Sequence, residues 1–191
     1  MPPLAIPQPT QEELQHSQHL QSYIVNKIHD SGGWIPFSHF MELALYTPGL
    51  GYYSANNAKF GFKGDFVTAP EISALFGRTL ARQAIQLFRQ LGQTNILEFG
   101  AGSGKLAFDL LTELEQFDQL PMQYLILEIS AELQQRQRSL FETHAPQLLD
   151  RITWLTELPE QFSGLIIANE VLDAMPTHLI VWKKDEFFER G

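Results

Sequence analysis

The stretch ILEFGAGSGKLAFDLL, residues 96–111, constrains the fold more than any other part of the sequence. An apolar run passes into three glycines at alternate positions, Gly100, Gly102 and Gly104, and then into a helical pattern. A buried strand that turns sharply into a helix has this form. The alternation continues downstream: QYLILEI reads as a strand, SAELQQRQRSLFETH as a helix, and RITWL and GLIIAN as two further strands. Short apolar strands alternating with helices predict an α/β fold, a parallel sheet with helices on both faces. Its first strand is expected at Asn95–Phe99 and the helix after the glycines at 103–116. Residues 93–191 thus form the expected core, and 1–92 an N-terminal, mostly helical and lid-like extension.

Within that extension, MPPLAIPQPT carries too many prolines for a helix and reads as a frayed arm. Thr10 and Glu13 have capping-box spacing, and Leu14, Leu20, Tyr23, Ile24 and Ile28 keep helical periodicity until Gly32-Gly33 ends it. A second helix is expected over 38–46. The stretch TPGLGYYSANNAKFGFKGDF mixes Gly, Pro and Asn with five aromatics, the composition of a packed loop. Thr68 and Glu71 form another capping-box pair, opening a helix with the apolar stripe Ile72, Leu75, Phe76, Leu80, Leu87 and Phe88.

Composition removes several classes of function. The 191 residues contain no cysteine, which excludes disulfides, zinc-thiolate clusters and cysteine nucleophiles. A formal charge of -9 opposes non-specific binding to a nucleic-acid backbone. No apolar run approaches the roughly 18 residues of a membrane span. The N-terminus has no basic residue and the first arginine is Arg78, so no signal or transit peptide is read and a bacterial-type cytoplasmic address is expected. The six histidines lack metal spacing; His16 and His19 read as solvated, and no metal site is assigned.

Spacing around the glycines narrows the ligand. A P-loop needs glycine five positions before Gly104 and Ser or Thr after Lys105, but Phe99 and Leu106 stand there. A dinucleotide fingerprint needs glycine where Lys105 stands. GAGSGK also lacks the G-x-S-x-G elbow of serine hydrolases. What remains is E-x-G-x-G-x-G, from Glu98 to Gly104. Glycines let backbone approach a ligand closely, while an acid beside them disfavours phosphate and favours a cation. S-adenosylmethionine carries an ammonium and a sulfonium and no phosphate. Glu128, at the end of the next strand, can accept hydrogen bonds from both hydroxyls of a ribose, or it is an ordinary charge at a helix start. Thr153, Trp154 and Leu155 end the third strand and could flank an adenine, although Trp154 reads equally as core. After the fourth strand, Asn169, Glu170 and Asp173 could orient a guanidinium, the two acids pointing the same way in a helical turn; plain helix-start charges are the alternative.

The segments MELALYTPGLGYYS, FGFKGDFVTAPEISALFGRTLA, ILEFGAGSGKLAFDLL, YLILEIS and LIIANEVLDAMP, in this order, resemble the MidA-like methyltransferases. The eukaryotic relatives of that family are mitochondrial complex I assembly factors with a Rossmann-like class I fold. The resemblance spans about residues 34 to 182. It implies S-adenosyl-L-methionine as the methyl donor and transfer to an arginine of a protein, with a respiratory complex I subunit or assembly partner as the substrate. The donor-binding residues are expected to be Thr68, Glu98, Gly100, Ala101, Gly102, Ser103, Gly104, Glu128, Ile129, Thr153 and Trp154, and the catalytic ones Asn169, Glu170 and Asp173. Asp65 to Glu71 would form a lid, or else serve only to cap a helix. Family members are about twice as long, so the chain reads as a fragment ending in a hairpin after the fourth strand. A nucleoside-binding or assembly module with this fold but no turnover is the competing reading.

Overall fold

The computed structural model describes residues 8–54, 68–92 and 94–191. The proline-rich start, most of the aromatic loop, and Asp65 to Val67 of the expected lid lie outside the described residues. The chain divides into two compact units, one within Met1–Asn57 together with Ala174–Gly191 and the other within Ala58–Asp173. Residues 69–92, which sequence reading joins to the extension, therefore group with the sheet, and the C-terminal hairpin groups with the N-terminal helices.

The first unit begins with α1, Gln11–Asp30, opened by the expected capping box: the Glu13 amide donates to Thr10 Oγ1 at 3.3 Å and the Thr10 amide to Glu13 Oε2 at 2.6 Å. Gly32 and Gly33, with φ of 81° and 90°, follow its end. The second helix α2, Phe37–Tyr46, packs on α1 through Ile24, Ile35 and Leu43. His19 is exposed, whereas His16 is half-buried and its Nε2 meets the Leu50 carbonyl at 2.9 Å, because the chain after α2 folds back within reach of α1.

The second unit opens with α3, Ala69–Ile72, and α4, Leu75–Leu91, in place of the single helix expected after Thr68. Ser73 is extended between them, and Thr68 makes no side-chain capping bond. The buried face of α4 is Gly77, Ala81, Ala84, Ile85 and Phe88, whereas Ile72 and Leu75 of the expected stripe are exposed and Phe76 and Leu80 are only partly buried. Small residues won that face because α4 crosses α5, Lys105–Gln116, at close range: a Cβ on Gly77 would stand 2.7 Å from the Asp109 Cβ.

Four parallel strands follow the expected spans closely: β1 Asn95–Phe99, β2 Tyr124–Leu127, β3 Ile152–Leu155 and β4 Gly164–Ala168. Helix α6, Ala131–His144, links β2 to β3 through a 3-10 turn at Pro146–Arg151. The order across the sheet is β3-β2-β1-β4. Registers pair Ile96 with Tyr124 and Leu165, and Tyr124 with Ile152. Strand alternation therefore puts Ile96, Glu98, Tyr124, Ile126, Ile152, Trp154 and Ile167 on one face. Helices α4, α5 and α6 join the buried cluster of that face. On the other face Leu97 is 2% exposed and its neighbour Ile166, on the edge strand β4, is 57% exposed. The last two strands, β5 Leu179–Lys183 and β6 Glu186–Arg190, form the antiparallel hairpin of the first unit. Its two turn residues, Lys184 and Asp185, both have positive φ, the backbone a two-residue hairpin turn requires.

Candidate functional site

The strand order reverses at β1: β2 and β3 build outward on one side, and β4 returns to the other. In open parallel sheets ligands bind at the carboxyl ends of the strands at such a reversal. The glycine turn stands there. Gly100, Gly102 and Gly104 have φ of 58°, 55° and 82°, all in the left-handed region, so the alternation of glycine seen in the sequence has a backbone cause. Gly104 opens α5, and its neighbours are fixed: the Lys105 amide donates to Ser103 Oγ at 3.2 Å, and Ser103 Oγ donates to the Glu71 carboxylate. Glu71 thus braces the turn and does not complete a capping box with Thr68. Lys105 bends back onto Asp109, 2.5 Å away, one helical turn along. Ala101 is buried.

Two acids flank the turn. Glu98, on β1, is 2% exposed and accepts a hydrogen bond from the Tyr124 hydroxyl at 2.8 Å. Burial raises its pKa to about 7; the Tyr124 hydrogen bond opposes the rise and the nearby Glu128 adds to it. Burial also keeps the Tyr124 phenol protonated, so it remains the donor. At neutral pH Glu98 is therefore only partly charged, and the fixed negative charge that the sequence suggests beside the glycines is conditional. Glu128, just beyond β2, is also buried, and burial raises its pKa against the hydrogen bonds it accepts. The Ser130 amide donates to its Oε1 at 3.0 Å, and Gln137 Nε2 approaches its Oε2 at 3.4 Å. Ile129 beside it is exposed.

Tyr124 and Gln137 were missed by sequence reasoning. Gln137 Nε2 also donates to the Gly102 carbonyl at 2.9 Å, and its Oε1 accepts from Trp154 Nε1 at 2.8 Å. The signal was present in the helix pattern. Leu133, Gln137 and Phe141 recur every four residues on the buried face of α6, with a glutamine where packing alone would favour an apolar side chain. Trp154 is half-buried, and the Arg138 guanidinium lies over its ring, 4.0 Å from the centroid. Thr153 is exposed and alternates to the opposite face of β3.

At the end of β4 the expected helical turn is absent. Asn169 is half-buried, Glu170 is exposed with a φ of 53°, and Asp173 lies in a three-residue 3-10 segment, Leu172–Ala174. The left-handed backbone at Glu170 interrupts any helix that would have aligned the two acids. Val171 carries this loop back to β1, its Cγ2 3.6 Å from where a Cβ on Gly100 would be. An apolar groove of about 260 Å³ runs between α4 and β4, lined by Phe76, Leu80, Leu87, Leu165 and Ile166 and bounded by Asn169. No residue of the glycine turn, nor Glu128, lines it. Among the described residues no cluster of three His, Asp or Glu could hold a metal ion, and no helix is long and apolar enough to cross a membrane.

The sequence model of the family described as "Putative S-adenosyl-L-methionine-dependent methyltransferase" matches residues 79–191. Among curated proteins, the chain is similar to a mitochondrial protein arginine methyltransferase NDUFAF7 homolog of Caenorhabditis elegans, at 29% identity over 85% of this chain and 43% of that protein. A protein of the same name from Drosophila melanogaster is 32% identical over 78% of this chain and 39% of that protein. Among solved structures, one from Burkholderia thailandensis bound to S-adenosyl-homocysteine has a TM-score of 0.85 at 43% identity, over 98% of this chain and 49% of that one. The chain spans about half the length of this solved structure and less than half that of the curated relatives.

Proposed function

This chain belongs to that methyltransferase family, and on this premise we propose that it binds S-adenosyl-L-methionine across the carboxyl ends of β1 to β3 and takes part in methyl transfer to an arginine of a protein. One observation carries the donor reading. Three left-handed glycines leave bare backbone at the sheet's reversal, with the buried Glu128 at the adjoining strand end. When bound, the donor supplies an electrophilic methyl group on a sulfonium. Gly100 to Gly104 would let the backbone approach the amino-acid half, and Glu128 would accept from the ribose hydroxyls. Glu98 is partly neutral at pH 7, and a cationic ligand nearby would favour its charged form.

The acceptor reading rests on Asn169, Glu170 and Asp173 beyond β4, and on the names of the curated relatives. A guanidinium is planar and permanently charged, and carboxylates grip it through two parallel hydrogen bonds. Glu170 and Asp173 would offset its charge and receive the proton its nitrogen gives up, and Asn169 would orient that nitrogen. Calorimetry decides the donor half: S-adenosylmethionine and S-adenosylhomocysteine should bind, while NAD and ATP should not. Tight NAD or ATP binding with none for either adenosyl compound would refute it. For the acceptor half, Glu170→Gln in a full-length relative should abolish methylation of an arginine-bearing protein and leave donor affinity within a few-fold. Mass spectrometry locating the methyl on another residue type would discard arginine.

A further inference from the structure

We propose that Gln137 is a positioning residue of the donor site, a single amide that locks the Glu128 carboxylate and the glycine turn into one arrangement before any ligand arrives. The proposal rests on the donor-binding reading above. Gln137 is fully buried, on the face of α6 that meets the sheet. Its side chain reaches the ends of three successive strands: the Gly102 carbonyl after β1 at 2.9 Å, Glu128 Oε2 after β2 at 3.4 Å, and Trp154 Nε1 on β3 at 2.8 Å.

These contacts allow one orientation of the amide. The carbonyl of Gly102 and the carboxylate of Glu128 both need a donor, and the indole of Trp154 needs an acceptor. Turning the amide over would set oxygen against two oxygens and an NH₂ against an N–H. The stem is fixed as well: Gln137 Cγ and Cβ stand 3.0 Å and 3.3 Å from where a Cβ on Gly104 would be, so the turn fits against this side chain only while residue 104 is glycine.

The consequence for Glu128 is specific. Its Oε1 is held by the Ser130 amide and its Oε2 is approached by Gln137 from α6, so the carboxylate is tied at both oxygens. A carboxylate has about four acceptor positions, so acceptor capacity remains for a ribose hydroxyl. No other residue meets all three demands. Glutamate offers no donor and would face Glu128 with a like charge, methionine offers neither donor nor strong acceptor, and asparagine is one methylene short.

Calorimetry on the full chain with S-adenosylhomocysteine as the probe tests this through a double-mutant cycle of Gln137→Met and Glu128→Gln, with thermal melting as the check on folding. Gln137→Met is expected to fold and to weaken binding 10- to 100-fold. In the Glu128→Gln background the same change should cost several-fold less than in the parent, since the share of its effect that runs through Glu128 is already lost and only the hold on the Gly102 carbonyl remains. Gln137→Glu, which keeps the shape and reverses the donor, should weaken binding at least as much. Affinity within twofold of the unaltered chain in Gln137→Met overturns the proposal, as do fully additive losses in the cycle. Loss of the fold in both Gln137 variants would overturn it in favour of a purely structural role. Failure of the unaltered chain to bind the probe is a different result, and refutes the donor site itself.

Discussion

Ionising Glu98 puts a negative charge into the sheet core, where the Tyr124 hydroxyl is its one hydrogen-bond donor among the described residues and Glu128 repels it. Its pKa is raised from the usual 4.5 to about 7, so the folded chain holds this proton more tightly than the unfolded one. The stabilisation is fully present below about pH 4.5 and is lost as pH rises through about 7, amounting to on the order of 3 kcal/mol. Glu98→Gln keeps an oxygen for Tyr124 and removes the ionisation. Urea unfolding of the two proteins at several pH values should show the variant gaining on the parent between pH 5 and 8; parallel pH profiles would place the titration elsewhere. Gly104 supports a second expectation. Its φ of 82° and the 3.0 Å approach of Gln137 Cγ make Gly104→Ala costly twice over, by on the order of 2 kcal/mol, with donor affinity falling alongside stability. Denaturant unfolding and calorimetry on the same sample would read both.

At the scale of elements, the crossing of α4 on α5 sets two effects against each other. Helix propensity alone says Gly77→Ala should stabilise α4 by about 1 kcal/mol. The added methyl, however, would lie 2.7 Å from the Asp109 Cβ and 3.3 Å from the Leu110 amide, so the helices must part, at a cost of about 1–3 kcal/mol. The second effect should win, and a lower urea midpoint in Gly77→Ala would show it; a higher one would mean that the helices separate freely. This crossing also explains what the sequence concealed. β1 and the glycine turn were legible because strand periodicity and backbone sterics are local, and Glu128 was legible because it closes an apolar strand. The inner face of α4 was not, because close helix packing selects Gly77, Ala81 and Ala84, while a search for large apolar residues selects Ile72 and Leu75, which face water. Glu71 was misassigned for a related reason. Its spacing from Thr68 fits a cap, but its partner Ser103 lies 32 residues away, and no local pattern reports such a contact.

For the whole molecule, the two units differ in what holds them together. The unit containing the sheet buries a continuous cluster from Ala81 to Ile167, with Leu110, Leu111, Leu114, Tyr124 and Phe141 almost wholly enclosed. The unit of α1 and α2 with the β5–β6 hairpin has Ile24, Ile35 and Leu43 as its buried cluster among the described residues, while Trp182 and Phe187 of the hairpin meet at a tilt yet remain exposed. Conformational entropy lost per ordered residue is similar in the two, so the unit with the smaller buried cluster among the described residues is expected to be the less stable. Amides near Ile24 and Leu43 should therefore exchange at lower denaturant than those of Leu110 and Leu111, as two steps and not one. Ligand linkage then separates the steps. The glycine turn, Glu128 and Gln137 all belong to the sheet unit, so S-adenosylhomocysteine at a hundred times its dissociation constant should raise that unit's unfolding free energy by about 2.7 kcal/mol. The exchange of α1 and α2 should barely move. Hydrogen exchange followed by mass spectrometry, with and without the ligand, measures both shifts. One cooperative transition, or equal protection of both units by the ligand, would show that the helices of the first unit share the stability of the site.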